Sequence, residues 1–234
     1  MLTTPQFSPA RLEAVLQRIE SATLAAGRPA GSVTLIGVTK TQPAPVVGAA
    51  IAAGLADVGE NYLQEAVPKI EALRDRRDAV QWHYIGQLQS NKTRPVAELF
   101  DWVHTVDRLK VAERLAAQRP FHGPALNVCL QVNIGDESSK GGVRADGLAA
   151  LARDVLNLPR LRLRGLMCIP PESGLAQVQR GHFAALRQMR DDLNAQGFCL
   201  DTLSMGMSSD LEAAIMEGAT HVRVGTAIFG ERMK

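Results

Sequence analysis

Apolar positions along this chain recur with two different periods. After Ser8-Pro9, a helix cap followed by proline at the first helical position, Leu12, Val15, Leu16 and Ile19 form one stripe at helical spacing that ends near Gly27. From Val33 onward the pattern changes. Short runs of apolar and β-branched residues predict strands at 33–39, 57–60, 81–85, 102–106, 126–133, 161–169, 202–205 and 221–224. Helical patterns fill the intervals at 46–53, 62–73, 95–100, 108–118, 147–156, 177–195 and 209–217.

Strict alternation of strand and helix, with strands too apolar to be half-solvated, implies parallel pairing through helical crossovers. Eight such strands predict an α/β fold, a single (β/α)8 TIM-type barrel with an extra N-terminal helix, as one domain over 1–234. An open doubly wound sheet is disfavoured because no G-x-G-x-x-G follows the first strand. In a barrel, chemistry sits at the carboxyl ends of the strands. Here those ends carry Lys40, "GENY", "HYIGQLQSNK", "NIGDESSKGG", "CIPP", "SMGMSSD" and "RVGTAIFG".

Composition narrows the function classes. A formal net charge of +2 in 234 residues gives no field that argues for nucleic acid or a membrane surface. No apolar run is long enough to span a bilayer, and the N-terminus has no basic start and apolar core of a signal peptide. Cys129, Cys168 and Cys199 are widely spaced inside apolar segments, as expected of small buried hydrophobes in a reducing, cytoplasmic compartment. The five histidines show no metal-ligand spacing, and the basic cluster "RDRR" at 74–77 reads as a solvated helix end.

Three features carry candidate chemistry. In "SMGMSSDLEAAI", Ser209 and Glu212 fit a capping box, which leaves the Ser208 hydroxyl free at a helix mouth. In "RVGTAIFG", Gly225-Thr226 leaves a strand and opens a very short helix. These two helix starts after strands seven and eight predict a phosphate site, with ordinary capping and tight turns as the alternative. Lys40 shares its parity with Thr34, Ile36 and Val38, so it points into the barrel mouth. Desolvation there lowers an ammonium pKa toward the range where the amine attacks a carbonyl to form a Schiff base. The alternatives are a lysine that runs to solvent or pairs with Glu60; Lys92 and Lys140 are rivals in polar loops. Arg223 has inward parity on the last strand, two residues before Gly225, unless a carboxylate claims it.

An aldehyde for the lysine, a ring near Arg223 and a phosphate at Gly225 describe pyridoxal 5′-phosphate (PLP). The motifs "VTK", "GENYLQE", "WHYIGQLQSNK", "LQVNIGDESSKGG", "RGLMCIPP", "SMGMSSDLEAAI" and "VRVGTAIFG" resemble the PLP homeostasis family, which is similar to the barrel domain of alanine racemase. The resemblance implies PLP held as a Schiff base on Lys40, its phosphate on Ser208 and on Gly225-Thr226, and Arg223 beside the pyridine nitrogen. It places Asn61 and His83 near the cofactor. Gln42 departs from the pattern, standing where many relatives have a second basic residue, and is expected at the rim. An arginine on the pyridine nitrogen keeps it unprotonated and weakens the ring as an electron sink. The tyrosine that serves racemases as second base comes from an additional domain, and only "ERMK" follows Gly230 here. The expectation is a monomeric PLP carrier or buffer in vitamin B6 homeostasis, with PLP-dependent apoenzymes as recipients. A PLP-dependent racemase or lyase, and a Schiff-base aldolase on a phosphorylated sugar, are the enzymatic alternatives.

Overall fold

The computed structural model describes residues 7–135, 141–171 and 175–230. Eight parallel strands close a barrel in chain order: β1 (Thr34–Val38), β2 (Asp57–Glu60), β3 (Gln81–Tyr84), β4 (Trp102–Val106), β5 (Leu126–Gln131), β6 (Leu161–Met167), β7 (Thr202–Ser204) and β8 (His221–Val224). β8 closes on β1 with Arg223 opposite Ile36. The crossovers are α2 (Ala44–Ala52), α3 (Leu63–Ala72), α4 (Thr93–Leu99), α5 (Leu109–Gln118), α6 (Ala145–Leu156), α7 (Ala176–Ala195) and α8 (Leu211–Met216). The predicted α/β barrel and its extra helix, α1 (Pro9–Ala25), are both present. A four-residue helix, α9 (Thr226–Phe229), follows β8.

Alternation along each strand divides the apolar residues in two. One parity, including Leu35, Val58, Trp82, Val103, Val128, Leu166, Leu203 and Val222, joins the helices in one continuous core. The other parity faces the axis, where Trp102, Cys129 and Met167 form a small separate cluster among polar groups. Gly165 has no side chain because any Cβ there would strike the Thr202 carbonyl on the neighbouring strand.

Several predicted boundaries move. Leu16 does not join the buried stripe of α1 but is 47% exposed; Leu12, Val15, Ile19 and Ala22 carry the contact instead. β5 and β6 stop before 133 and 169, since Val132 makes only an isolated bridge to Val143 and Ile169 reaches solvent. The helix predicted at 95–100 starts at Thr93, after a 3-10 turn at Ser90–Lys92. The Ser209–Glu212 capping box does not form. α8 begins at Leu211, Asp210 accepts the Met207 amide, and Glu212 pairs with Arg18 of α1 at 2.8 Å. Cys199 is exposed, whereas Cys129 and Cys168 are buried as expected. The "RDRR" cluster is a surface 3-10 turn whose Arg77 forks onto Asp101 at 2.6 and 2.8 Å. No helix among the described residues is long and apolar enough to cross a membrane.

Candidate functional site

Lys40 lies two residues beyond β1, on a turn built by its neighbours. The Thr39 amide donates to the Gly59 carbonyl at 3.0 Å, and Thr41 then bends the chain at φ 67°. That left-handed conformation is costly for a β-branched residue, and the Thr41 amide is held at 2.6 Å by Glu65 Oε2. Behind the turn, Lys69 Nζ donates to the Thr39 carbonyl and to Glu60 Oε1, both at 2.7 Å, while the Thr39 hydroxyl donates to the same carboxylate at 2.6 Å. Glu60 is fully buried, and that burial pushes its carboxyl pKa up against the opposing pull of Lys69. The carboxylate considered for Lys40 is thus engaged by Lys69.

Lys40, Gln42, Ser208, Arg223, Gly225 and Thr226 line one cavity of about 480 Å³ at the carboxyl ends of β1, β7 and β8. A Cβ on Gly225 would stand 3.3 Å from the Val38 Cβ and carbonyl, so the bare backbone presses against β1 at the cavity wall. Gly225 caps α9, whose first N–H groups have no intrahelical partner. Gln42 corrects the rim expectation: it is 8% exposed, lines the cavity, and its buried Oε1 has no partner.

Arg223 is 4% exposed and makes no ion pair among the described residues. Its guanidinium donates to Ser204 Oγ at 2.8 Å and to the Cys168 carbonyl at 2.9 Å. Burial lowers its pKa against the opposing pull of Cys168 and Asp210, and a buried cation with no direct ion pair is expensive unless something in the cavity uses it.

The structure does not bring Asn61 and His83 to this cavity. Asn61 lines two neighbouring cavities with Gly86 and Gln87, on the β2–β3 side of the mouth, and its Oδ1 is buried without a partner. Lys92 lines the first of these, and Lys140 lies outside the described residues. His83 is fully buried on the barrel axis. Its Nε2 lies 2.9 Å from Asp57 Oδ1 and its Nδ1 2.9 Å from His104 Nε2. His104 Nδ1 reaches Ser204 Oγ at 2.8 Å. Burial, and then His83, His221 and Arg223, hold the His104 pKa well below the usual histidine range; His221 is pushed down to about 4, chiefly by burial. Sequence reading missed Ser204 and His104. Strand parity was the available sign for both, since they share the inward face with Arg223 or Trp102. No cluster of metal-ligating side chains is present among the described residues.

A family model described as the alanine racemase N-terminal domain matches residues 11–233. The pyridoxal phosphate homeostasis protein of Pseudomonas aeruginosa is 57% identical, covering 93% of both chains. That of Escherichia coli K12 is 50% identical over 94% of this chain and 95% of its own. Among solved structures, PipY of Synechococcus elongatus with PLP bound matches with a TM-score of 0.79 at 39% identity, covering 91% of this chain and 100% of that one. The motifs, the barrel and the extent of these matches agree, and the chain belongs to the pyridoxal phosphate homeostasis family, built on the alanine racemase N-terminal barrel.

Proposed function

We propose that this chain binds PLP in the Lys40 cavity and serves PLP homeostasis as a carrier or buffer in the cytoplasm. Residues 1–234 then act as a single, monomeric PLP-binding domain. The carrying observation is that a buried guanidinium with no direct ion pair among the described residues, Arg223, shares one cavity with a lysine and with Ser208, Gly225 and Thr226. Those groups fit the three ends of PLP. Lys40 supplies an amine for the aldehyde, and their condensation forms a C=N bond with loss of one water. Ser208, Thr226 and the backbone at Gly225 supply hydroxyl and N–H donors for the phosphate. Arg223 supplies a permanent donor for the pyridine nitrogen. The PLP-bound PipY structure, as a relative of 39% identity, supports the same ligand here.

Bound PLP supplies electrophilic carbonyl and electron-sink chemistry, and this cavity is poorly equipped to exploit it. An arginine at the ring nitrogen cannot give up a proton. Neither Tyr62 nor Tyr84 lines the cavity; Tyr84 is 4% exposed and its hydroxyl donates to the Gln87 carbonyl at 3.3 Å. Holding and release, with apoenzymes as recipients, is therefore the favoured reading over racemisation or lyase chemistry.

The test is spectroscopic. Protein purified with PLP shows a Schiff-base absorbance band, borohydride fixes the mass of reduced PLP on Lys40, and Lys40→Ala loses both. Loaded protein restores a PLP-dependent apoenzyme and leaves single L-amino acids unracemised. A colourless protein with no fixed mass overturns the binding reading, and sustained racemisation overturns the carrier reading.

A further inference from the structure

The barrel axis holds an unbroken file of hydrogen-bonding groups that the PLP contacts do not require. It runs from Asp57 at the amino-terminal end of β2, through His83 on β3, His104 on β4 and Ser204 on β7, to Arg223 on β8, with steps of 2.9, 2.9, 2.8 and 2.8 Å. His83, His104 and Ser204 are fully buried, while the Asp57 side chain is 21% exposed at the far end. One end of the file thus meets water and the other lines the Lys40 cavity.

With Asp57 as a carboxylate acceptor and each imidazole carrying one proton, the direction of every bond follows. Arg223 can only donate, so Ser204 Oγ accepts from it, and in this arrangement the Ser204 proton goes to His104 Nδ1. His104 is then protonated on Nε2 and donates to His83 Nδ1. His83 is in turn protonated on Nε2 and donates to Asp57. Cation, hydroxyl, two neutral imidazoles and carboxylate all point the same way, and such aligned chains polarise one another. The burial that disfavours charge on His104 supports this neutral arrangement.

We propose that Asp57, His83, His104 and Ser204 are positioning residues that form a reversible hydrogen-bond relay, through which the protonation state at the floor of the barrel sets the electrostatic environment of Arg223 and the ring end of the PLP site. A proton added to His83 makes both its nitrogens donors. His104 must then accept on Nε2 and donate from Nδ1, so Ser204 receives two donors and turns its own proton away. The floor is thereby read at the cavity without movement of the backbone. This inference rests on the PLP reading only for its effect at the ring; the relay itself exists without it.

Other groups share the axis. His221 of β8 lies 6.3 Å from the His83 ring, Trp102 of β4 stacks on it at 5.6 Å, and Arg164 of β6, paired with Asp201, covers Trp102. Cys129 and Cys168 are buried thiols pushed up to about 12 and stay protonated. Asp57 is the one carboxylate in direct contact with His83 among the described residues.

Two measurements test the relay. Imidazole nitrogen NMR on protein without PLP reads His83 and His104 as neutral and protonated on Nε2. Ser204→Ala then moves the His83 resonances, and Asp57→Asn moves those of His104, each two links away. Protonation of His104 on Nδ1 in the native chain, or substitutions felt only by the adjacent residue, overturns the relay. In PLP-loaded protein, Asp57→Asn lowers the pH midpoint of the Schiff-base band by about half a unit, as loss of a screened charge some distance away should do. Asp57→Glu restores the midpoint, and Asp75→Asn on the surface turn leaves it unchanged. An unshifted midpoint in Asp57→Asn, with PLP still fixed on Lys40, overturns the influence on the ring. If the native chain takes up no PLP, the carrier reading fails, and the NMR arm still decides the relay.

Discussion

The Lys69 ammonium lies 2.7 Å from Glu60 Oε1 and shares that carboxylate with the Thr39 hydroxyl, immediately behind Lys40. This buried pair ties α3 to the carboxyl ends of β1 and β2. Lys69→Met removes one partner and leaves Glu60 buried and uncompensated, which costs about 3–5 kcal/mol. Urea unfolding should show that loss. Lys69→Met combined with Glu60→Leu should recover most of it, because an apolar pair carries no desolvation penalty.

The turn that presents Lys40 is strained at Thr41, whose φ is 67°. Asparagine tolerates the left-handed region far better than a β-branched residue. Thr41→Asn should raise unfolding stability by about 1 kcal/mol. The same substitution leaves the Thr41 amide bonded to Glu65, so PLP loading is expected to be unchanged. Glu65→Ala should slow loading, since it releases that amide.

Ser208 and Thr226 offer hydroxyls to a phosphate, and phosphate is what distinguishes PLP from pyridoxal. The double substitution Ser208→Ala, Thr226→Ala should weaken PLP binding by about 3–6 kcal/mol, the size of two hydrogen bonds to a charged group. Pyridoxal affinity should stay the same. Equal weakening for both ligands in a titration would place the phosphate elsewhere.

Two axial histidines make the fold acid-sensitive. His221, pushed down to about 4, and His104, held well below its usual range, both bind protons more readily in the unfolded chain. Their contribution is fully present above pH 6.5 and is lost as pH falls, for His221 through about 4. His221 alone accounts for about 3 kcal/mol over that window. Denaturation curves at pH 7 and pH 5 should show the decline, and His221→Asn should flatten it.

Residues whose environment is local to one strand were the most legible in the sequence. Lys40 and Arg223 could be placed by parity, and Gly225-Thr226 by its turn, because period and punctuation suffice to aim them. The Ser209 cap failed for a reason that lies elsewhere in the chain: Glu212 is drawn away by Arg18, on the opposite side of the primary structure. His83 shows the same boundary. Its motif suggested the cofactor, yet its ring points down the axis to Asp57, a contact set by barrel closure and by no local pattern. Gln42 is expected at the rim from the resemblance alone, but it lies buried in the cavity wall.

The separation between the continuous outer core and the small axial cluster of Trp102, Cys129 and Met167 gives each strand two unrelated tasks at alternate positions. Changes among the axial apolar residues therefore bear first on the ligand's surroundings, and changes under the helices bear first on the shell. A lineage can retune what the barrel holds largely apart from how its helices seat, and the axial histidines are the positions where the two meet.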